Sequence, residues 1–195
     1  MIDKTKVISI IPARKGSKGI PKKNLISILG KPLIFWSIKT SLSCKHIGRT
    51  IVSTDCEEIK QVAKEAGAEV PFLRPEEYAS DTAIDFDVFN HALKWLKSEE
   101  TFYPDLLVHL RPTGPARRIS LIEKAIELIS DHEEADSLRS ISLAKQTPFK
   151  MWRHDNERFI TPFFKDNSGA ELHSAPRQVL EKVYWQNGYV DIIRP

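Results

Sequence analysis

The 195-residue chain carries 29 Lys and Arg against 26 Asp and Glu, a formal charge of +3, with 41% hydrophobic and 28% charged residues. That composition excludes a collagen-like, mucin-like or wholly disordered chain, and so small a net charge does not by itself call for nucleic acid. The longest early apolar run, residues 7–11, is interrupted by Ser9 and stops at Pro12, short of the roughly 7–15 apolar residues of a secretory signal and the about 20 of a membrane helix.

Val7-Ile8-Ser9-Ile10-Ile11 is short, β-branched and apolar, the pattern of a buried strand. Residues 12–24 read as a loop, followed by an apolar piece at 25–29 and the break Gly30-Lys31-Pro32. Pro32 suits a first helical position, and Leu33, Trp36, Ser37, Thr40 and Ser41 follow at helical spacing. Cys44 and Cys56 are the only cysteines and have no Cys-x-x-Cys spacing, so they read as thiols of a cytosolic protein. A second strand is expected over 49–53. Asp55 is placed to cap a helix through Ile59, Val62, Ala63 and Ala66, and Gly67 ends it. Residues 69–72 read as a third short strand. Asp81 is placed to cap a long amphipathic helix with Phe86, Phe89, Leu93 and Leu96 on one side. A fourth strand at 106–110, a loop at 111–118 and a helix carrying Leu121, Ile122, Ala125, Ile126 and Ile129 complete the alternation.

This order predicts an α/β fold: a Rossmann-like, mainly parallel sheet with helices on both faces. After about residue 137 the pattern changes to short strand-like pieces at 137–143, 149–152, 158–163 and 189–193, with turn chemistry at 165–169. The expected division is a nucleotide-binding core over 1–136, a small α+β dimerisation and substrate segment over 137–186, and a return strand over 187–195.

The main chemical signal lies in the first loop. Residues 14–23 hold five cations (Arg14, Lys15, Lys18, Lys22, Lys23) and no acid, where an even spread would put about 1.5 in ten. Gly16 and Gly19 let backbone amides approach a ligand closely. The loop directly follows the first strand, and open parallel sheets bind ligands beyond the carboxyl ends of their strands. Charge, position and backbone freedom together point to a polyphosphate, against the plain alternative of a solvated basic loop. The loop matches neither Gly-x-x-x-x-Gly-Lys-Ser/Thr nor Gly-x-Gly-x-x-Gly. No aromatic residue falls between Lys4 and Phe35, which argues against a single-strand nucleic-acid patch.

The run Ile11-Pro12-Ala13-Arg14-x-Gly16-Ser17-Lys18-Gly19-Ile20-Pro21-x-Lys23-Asn24 closely resembles that of the acylneuraminate cytidylyltransferases, the CMP-sialic acid synthetases, and of their legionaminic and pseudaminic acid relatives. Val52-Ser53-Thr54-Asp55, Gly67-Ala68-Glu69-Val70-Pro71-Phe72, Arg74-Pro75, Pro112-Thr113-x-Pro115-x-Arg117, Arg177-Gln178 and Asn187-Gly188 follow in the family's order. The resemblance implies transfer of CMP from CTP to the anomeric hydroxyl of a keto-sugar acid, with release of pyrophosphate. It implies that Arg14, Gly16, Ser17, Lys18 and Lys23 hold the triphosphate, with Arg14 and Lys23 stabilising the charge that moves to the leaving group. Asn24 is implied at the ribose or base, or as a turn residue. Arg74, Ala83 and Asp85 are implied at cytosine: Arg74 donates to its acceptors and Asp85 accepts from its amino group, unless Asp85 is simply a first-turn helix acid. Arg111, Arg117, Arg177, Gln178 and Asn187 are implied at the sugar acid.

The sequence also departs from the sialic-acid pattern. Arg111 stands in place of a common Gln and Gly114 in place of Ser, and Asp85 replaces a common small polar residue. Arg111 is expected to grip a carboxylate bidentately. Trp185 stands where some relatives carry an arginine, so it either packs or faces the sugar. The resemblance implies Mg2+, but the family's Ser-x-Asp-Ile-Asp metal motif does not occur in the chain, whose Asp191-Ile192-Ile193 reads as strand. Asp55 is a substitute only if it is not a cap. The expectation is a shortened sequence or an incompletely active homologue. A homodimer is implied, with Phe149, Met151, Trp152, Phe159, Phe163 and Phe164 supplying interface core. The alternatives are a cytidylyltransferase for another keto-deoxy acid, such as deoxyoctulosonate, and a nucleotide-binding homologue with little catalysis. No nucleic acid or membrane partner is expected.

Overall fold

The computed structural model describes residues 2–17, 19–156, 158–164 and 171–195. Lys18 and the turn expected at 165–169 lie outside the described residues. In chain order the elements are β1 (Val7–Pro12), a hairpin of β2 (Ser27–Ile28) and β3 (Lys31–Pro32), α1 (Leu33–Leu42), β4 (Arg49–Ser53), α2 (Glu57–Glu65), α3 (Asp85–Glu100), β5 (Leu106–His109), α4 (Ile119–Asp131), β6 (Ser137–Leu143), β7 (Trp152–His154), β8 (Ile160–Pro162) and β9 (Tyr184–Ile193).

The main sheet has the order β4-β1-β5-β9-β6. β1 is parallel to β4 and to β5, and β9 runs antiparallel to β5 with His109 opposite Asp191. Successive strand side chains point to opposite faces, and β1 shows this directly. Val7 and Ile11 join α1, α2 and α4 in one apolar cluster, while Ile8 and Ile10 join α3 in another. The expected mainly parallel sheet with helices on both faces is therefore what forms. Ile8, Ile10 and Ile11 are fully buried, each contributing roughly 1.5–3 kcal/mol of transfer free energy.

The polar members of these elements also have a packing reason. Ser9 lies on the α1 side of β1, where its hydroxyl meets Ser41 of α1 at 2.5 Å, and Ser41 meets Thr50 of β4 at 2.7 Å. Buried hydroxyls must be paired, so this chain sets the register of α1 against two strands.

Three local expectations are corrected. Residues 69–72 form only an isolated bridge, Ile51 to Glu69, because the segment leaves the sheet edge after one contact. Pro32 is the N-cap of α1, since it is still paired with Ser27 in the hairpin. Neither Asp55 nor Asp81 caps a helix: Cys56 and Ile84 hold those positions, and Asp87 accepts from the Ile84 amide at 3.1 Å.

The chain divides into two compact units, Met1–Ser140 with Gly188–Pro195, and Ile141–Asn187, against expected breaks at 136/137 and 186/187. The second unit contains the β7–β8 hairpin, whose register pairs Trp152 with Pro162. Phe149 and Phe163 both pack on Phe164. Phe159, Val179 and Trp185 of this unit are exposed. Among the described residues no helix is long and apolar enough to cross a membrane.

Candidate functional site

The cavity walls are built at the carboxyl ends of three parallel strands. β1 runs into Ala13, whose amide bonds to Ser53 O at the end of β4. Asp55, just beyond β4, accepts from the Lys15 amide at 2.7 Å. Asn24, 6% exposed, donates to Arg14 O at 3.1 Å. The basic loop is thus tied down at both ends by side chains rather than left free. Among the described residues of the loop the left-handed one is Lys22, at φ 50°, and not a glycine. A Cβ on Gly16 or Gly19 would meet nothing within 4 Å; Gly16 lines the cavity, so the missing side chain leaves that space to a ligand.

Two cavities flank Arg14. The smaller, about 260 Å³, is lined by Arg14, Gly16, Ser17, Lys23 and Asn24 from the first loop and its end, and by Arg74, Tyr78, Ala83, Asp85 and Arg111. The larger, about 870 Å³, adds Lys15, Lys22, Asp55, Glu58 and Glu76. Nine of the residues nominated from sequence therefore meet around one cavity, Lys18 excepted because it is outside the described residues. Arg177 and Gln178 form a short turn in the second unit, where Asn187 Nδ2 also donates to Ser142 Oγ at 2.7 Å.

Three arginines define the charge of the smaller cavity, and each is held differently. Arg14 Nη1 pairs with Asp81 Oδ1 at 2.8 Å and donates to Ser80 O at 2.9 Å. That carboxylate competes with an incoming anion for Nη1. Arg74 is 5% exposed, and its Nε and Nη2 have no partner among the described residues. Burial pushes its pKa below the ordinary value, the nearby Asp55 and Asp85 opposing that and Arg14 adding to it. Arg111 bridges two carboxylates, Nη1 to Asp191 Oδ2 and Nη2 to Asp85 Oδ2, both at 2.7 Å. Behind it His109 is buried, and burial, with Arg111 nearby, holds its pKa at about 4. At neutral pH it is uncharged.

Arg117, implied at the sugar acid by its motif, is held within the protein by four acceptors. It donates from Nε to Tyr189 O at 2.6 Å, from Nη1 to Ser37 Oγ at 3.0 Å and to Gly114 O, and from Nη2 to Arg111 O at 2.8 Å. Its guanidinium is consumed in fixing the 111–117 loop, and it is absent from the cavity lining. Gly114 is small for the same reason: a Cβ there would lie 2.8 Å from Arg117 Nη2. Sequence reasoning missed Tyr78, the pairing role of Asp81, and the Asp191–His109 pair. The last had a visible trace, a titratable residue beside an apolar run in each strand, Leu106-Leu107-Val108 before His109 and Ile192-Ile193 after Asp191.

A divalent cation does not fit the carboxylates as they stand. Asp81, Asp85 and Asp191 are each ion-paired to an arginine, and among the described residues no cluster of three or more His, Cys, Asp or Glu is set to hold a metal. Asp55 is engaged with the loop backbone. What the cavity does offer is cationic and donor-rich: Arg14, Lys23 and the Gly16 backbone for phosphate oxygens, and Arg74 donors unpartnered among the described residues for a heteroaromatic edge.

A sequence model of the family described as "Cytidylyltransferase" matches residues 8–159. The chain is 37% identical to the N-acylneuraminate cytidylyltransferase of Escherichia coli, over 83% of this chain and 37% of that protein. It is 39% identical to the pseudaminic acid cytidylyltransferase of Campylobacter jejuni, over 63% of this chain and 52% of that one. It is 37% identical to the CMP-N,N'-diacetyllegionaminic acid synthase of Legionella pneumophila, over 63% and 53%. The matches thus span about half or less of these relatives' length. Among solved structures, CMP:2-keto-3-deoxy-manno-octonic acid synthetase complexed with CTP superposes with a TM-score of 0.70 at 19% identity, covering 97% of this chain and 74% of that one. That likeness is one of fold.

Proposed function

Because the chain belongs to the cytidylyltransferase family, we propose that it takes CTP into the smaller cavity and transfers CMP to the anomeric hydroxyl of a nonulosonic, sialic-acid-like keto-sugar acid, releasing pyrophosphate. The observation that carries this reading is Arg74. A buried guanidinium with two unsatisfied donors is costly, and an acceptor-bearing base edge repays that cost. Cytosine presents its acceptors beside an amino group, and Asp85, which lines the same cavity, is an acceptor for that amino group. Arg14 and Lys23 line the same cavity as Arg74, so one ligand can meet cations for its phosphates and donors for its base.

In this mechanism the chain binds, orients and neutralises. Ser17 and the Gly16 backbone, both at the cavity lining, donate to the phosphate chain. Arg14, released from Asp81, and Lys23 stabilise the charge that accumulates on the departing pyrophosphate. Holding the hydroxyl near the α-phosphorus supplies the proximity term. Mg2+ enters this reading as part of the substrate, the magnesium complex of CTP.

The relatives' names support the sugar class: N-acylneuraminate, pseudaminic and legionaminic acids. We further propose that the enzyme is cytoplasmic, consistent with two free cysteines, and a homodimer joined through the second unit, whose exposed Phe159, Val179 and Trp185 suit an interface. The test is twofold. CTP should raise the melting temperature more than ATP, GTP or UTP, and equal shifts for all four would remove base selection. Pyrophosphate release should require both CTP and a keto-sugar acid, and binding without release would favour a non-catalytic homologue.

A further inference from the structure

Arg111 and Asp85 face the same cavity and bind each other. Arg111 is anchored first on the sheet: Asp191, opposite His109 in the β5–β9 pairing, holds Nη1 at 2.7 Å and is itself only 10% exposed at its side chain. The other arm of the fork, Nη2, reaches Asp85 Oδ2 at 2.7 Å in the first turn of α3. His109 Nδ1 lies 3.9 Å and 3.8 Å from the same two carboxylates but is neutral, so the cluster holds two negative charges against one positive. A guanidinium already shared by two carboxylates, with the net charge negative, is poorly suited to grip a third carboxylate. This changes the part expected of Arg111 at the sugar acid.

The pairing does something else. It takes one oxygen of Asp85 and leaves the other, Oδ1, without a bond among the described residues, on a side chain that remains 46% exposed at the cavity wall. A carboxylate on a first-turn helix residue otherwise rotates freely about its side-chain torsions. One charge-assisted bond from a guanidinium anchored on the sheet removes that freedom.

We propose that Arg111 is a positioning residue for base selection, acting through Asp85, whose Oδ1 it presents to the exocyclic amino group of cytosine. Uracil places a carbonyl where cytosine has that amino group, so acceptor faces acceptor and binding weakens. Losing a hydrogen bond to a charged group is worth roughly tenfold or more in affinity. The inference rests on the reading of the smaller cavity as a CTP site.

The experiment measures dissociation constants of the full chain for CTP, UTP and inorganic pyrophosphate by calorimetry. The proteins are the wild type, Arg111→Gln, Arg111→Lys, Asp85→Asn and the double variant Asp85→Asn/Arg111→Gln, each with its melting curve. The wild type is expected to prefer CTP to UTP by about tenfold. Arg111→Gln and Asp85→Asn should each reduce that preference to about twofold or less, the double variant no further, because both act through one hydrogen bond. Arg111→Lys should restore part of the preference, and pyrophosphate affinity should change by only a few fold in any variant, the range of an exposed ion pair. If Arg111→Gln fails to fold, Asp85→Asn and Arg111→Lys decide alone. A wild-type CTP preference that survives in Asp85→Asn or in Arg111→Gln overturns the inference while leaving the CTP site standing. No preference in the wild type refutes the CTP reading, and this inference with it.

Discussion

Replacing Arg74 by Met keeps most of the aliphatic volume and removes a buried guanidinium. The residue is 5% exposed and two of its donors, Nε and Nη2, have no partner among the described residues. An unsatisfied buried donor costs about 1–3 kcal/mol, so two cost about 2–6 kcal/mol. Attraction to Asp55 and Asp85, which favours the charged form, returns part of this. The balance is a gain of about 2 kcal/mol for the ligand-free Met variant, or roughly 4–8 °C in melting temperature for a chain of this size. On the proposed CTP reading the same substitution should abolish the CTP-dependent rise in melting temperature, because it removes the donors assigned to the base. Differential scanning fluorimetry with and without CTP reads both effects in one plate. A variant that melts below the wild type yet still responds to CTP would show that the guanidinium supports the fold rather than the ligand, and the argument from unsatisfied donors would be refuted.

Three further outcomes follow from other parts of the structure. Asp81→Asn removes the carboxylate that competes for Arg14 and should tighten inorganic pyrophosphate by roughly two- to fivefold, the range of an exposed ion pair; weaker binding by calorimetry would mean that Asp81 serves the ligand instead. His109 is held neutral to about pH 4 while its unfolded counterpart titrates near 6.5, so the unfolded state binds the extra proton and stability falls by about 3 kcal/mol as pH drops across that window. His109→Gln should flatten this dependence in urea titrations, and parallel curves for the two proteins would contradict it. Gly48→Ala puts a Cβ 2.3 Å from Lys4 O, a backbone atom that cannot swing aside, and should cost about 1–3 kcal/mol by urea unfolding; an unchanged midpoint would deny the close approach.

The chain's own pattern determined the architecture and the place of the basic loop. Val7-Ile8-Ser9-Ile10-Ile11 announces a strand buried on both faces, because side chains alternate with period two and every position is apolar or small. The cations and glycines of 14–23 mark the ligand end of that strand, since in a parallel sheet the loop after a strand's carboxyl end is where ligands bind. These signals are local, and local periodicity and composition survive in one dimension.

The partners of the charged residues were decided only in three dimensions. Asp55 and Asp81 each precede a helix and look like caps, yet one holds the Lys15 amide and the other holds Arg14. Arg117 belongs to a sugar-site motif in sequence and is spent on Tyr189, Ser37, Gly114 and Arg111 in space. Asp85 and Arg111 stand out singly as departures from the sialic-acid pattern, and the structure makes them one ion pair, with Asp191 as its second anchor 80 residues from Arg111. The physical reason is common to all of them. A side chain's pairing depends on which strand ends the topology brings together, and that closure joins groups whose spacing along the chain carries no periodic trace.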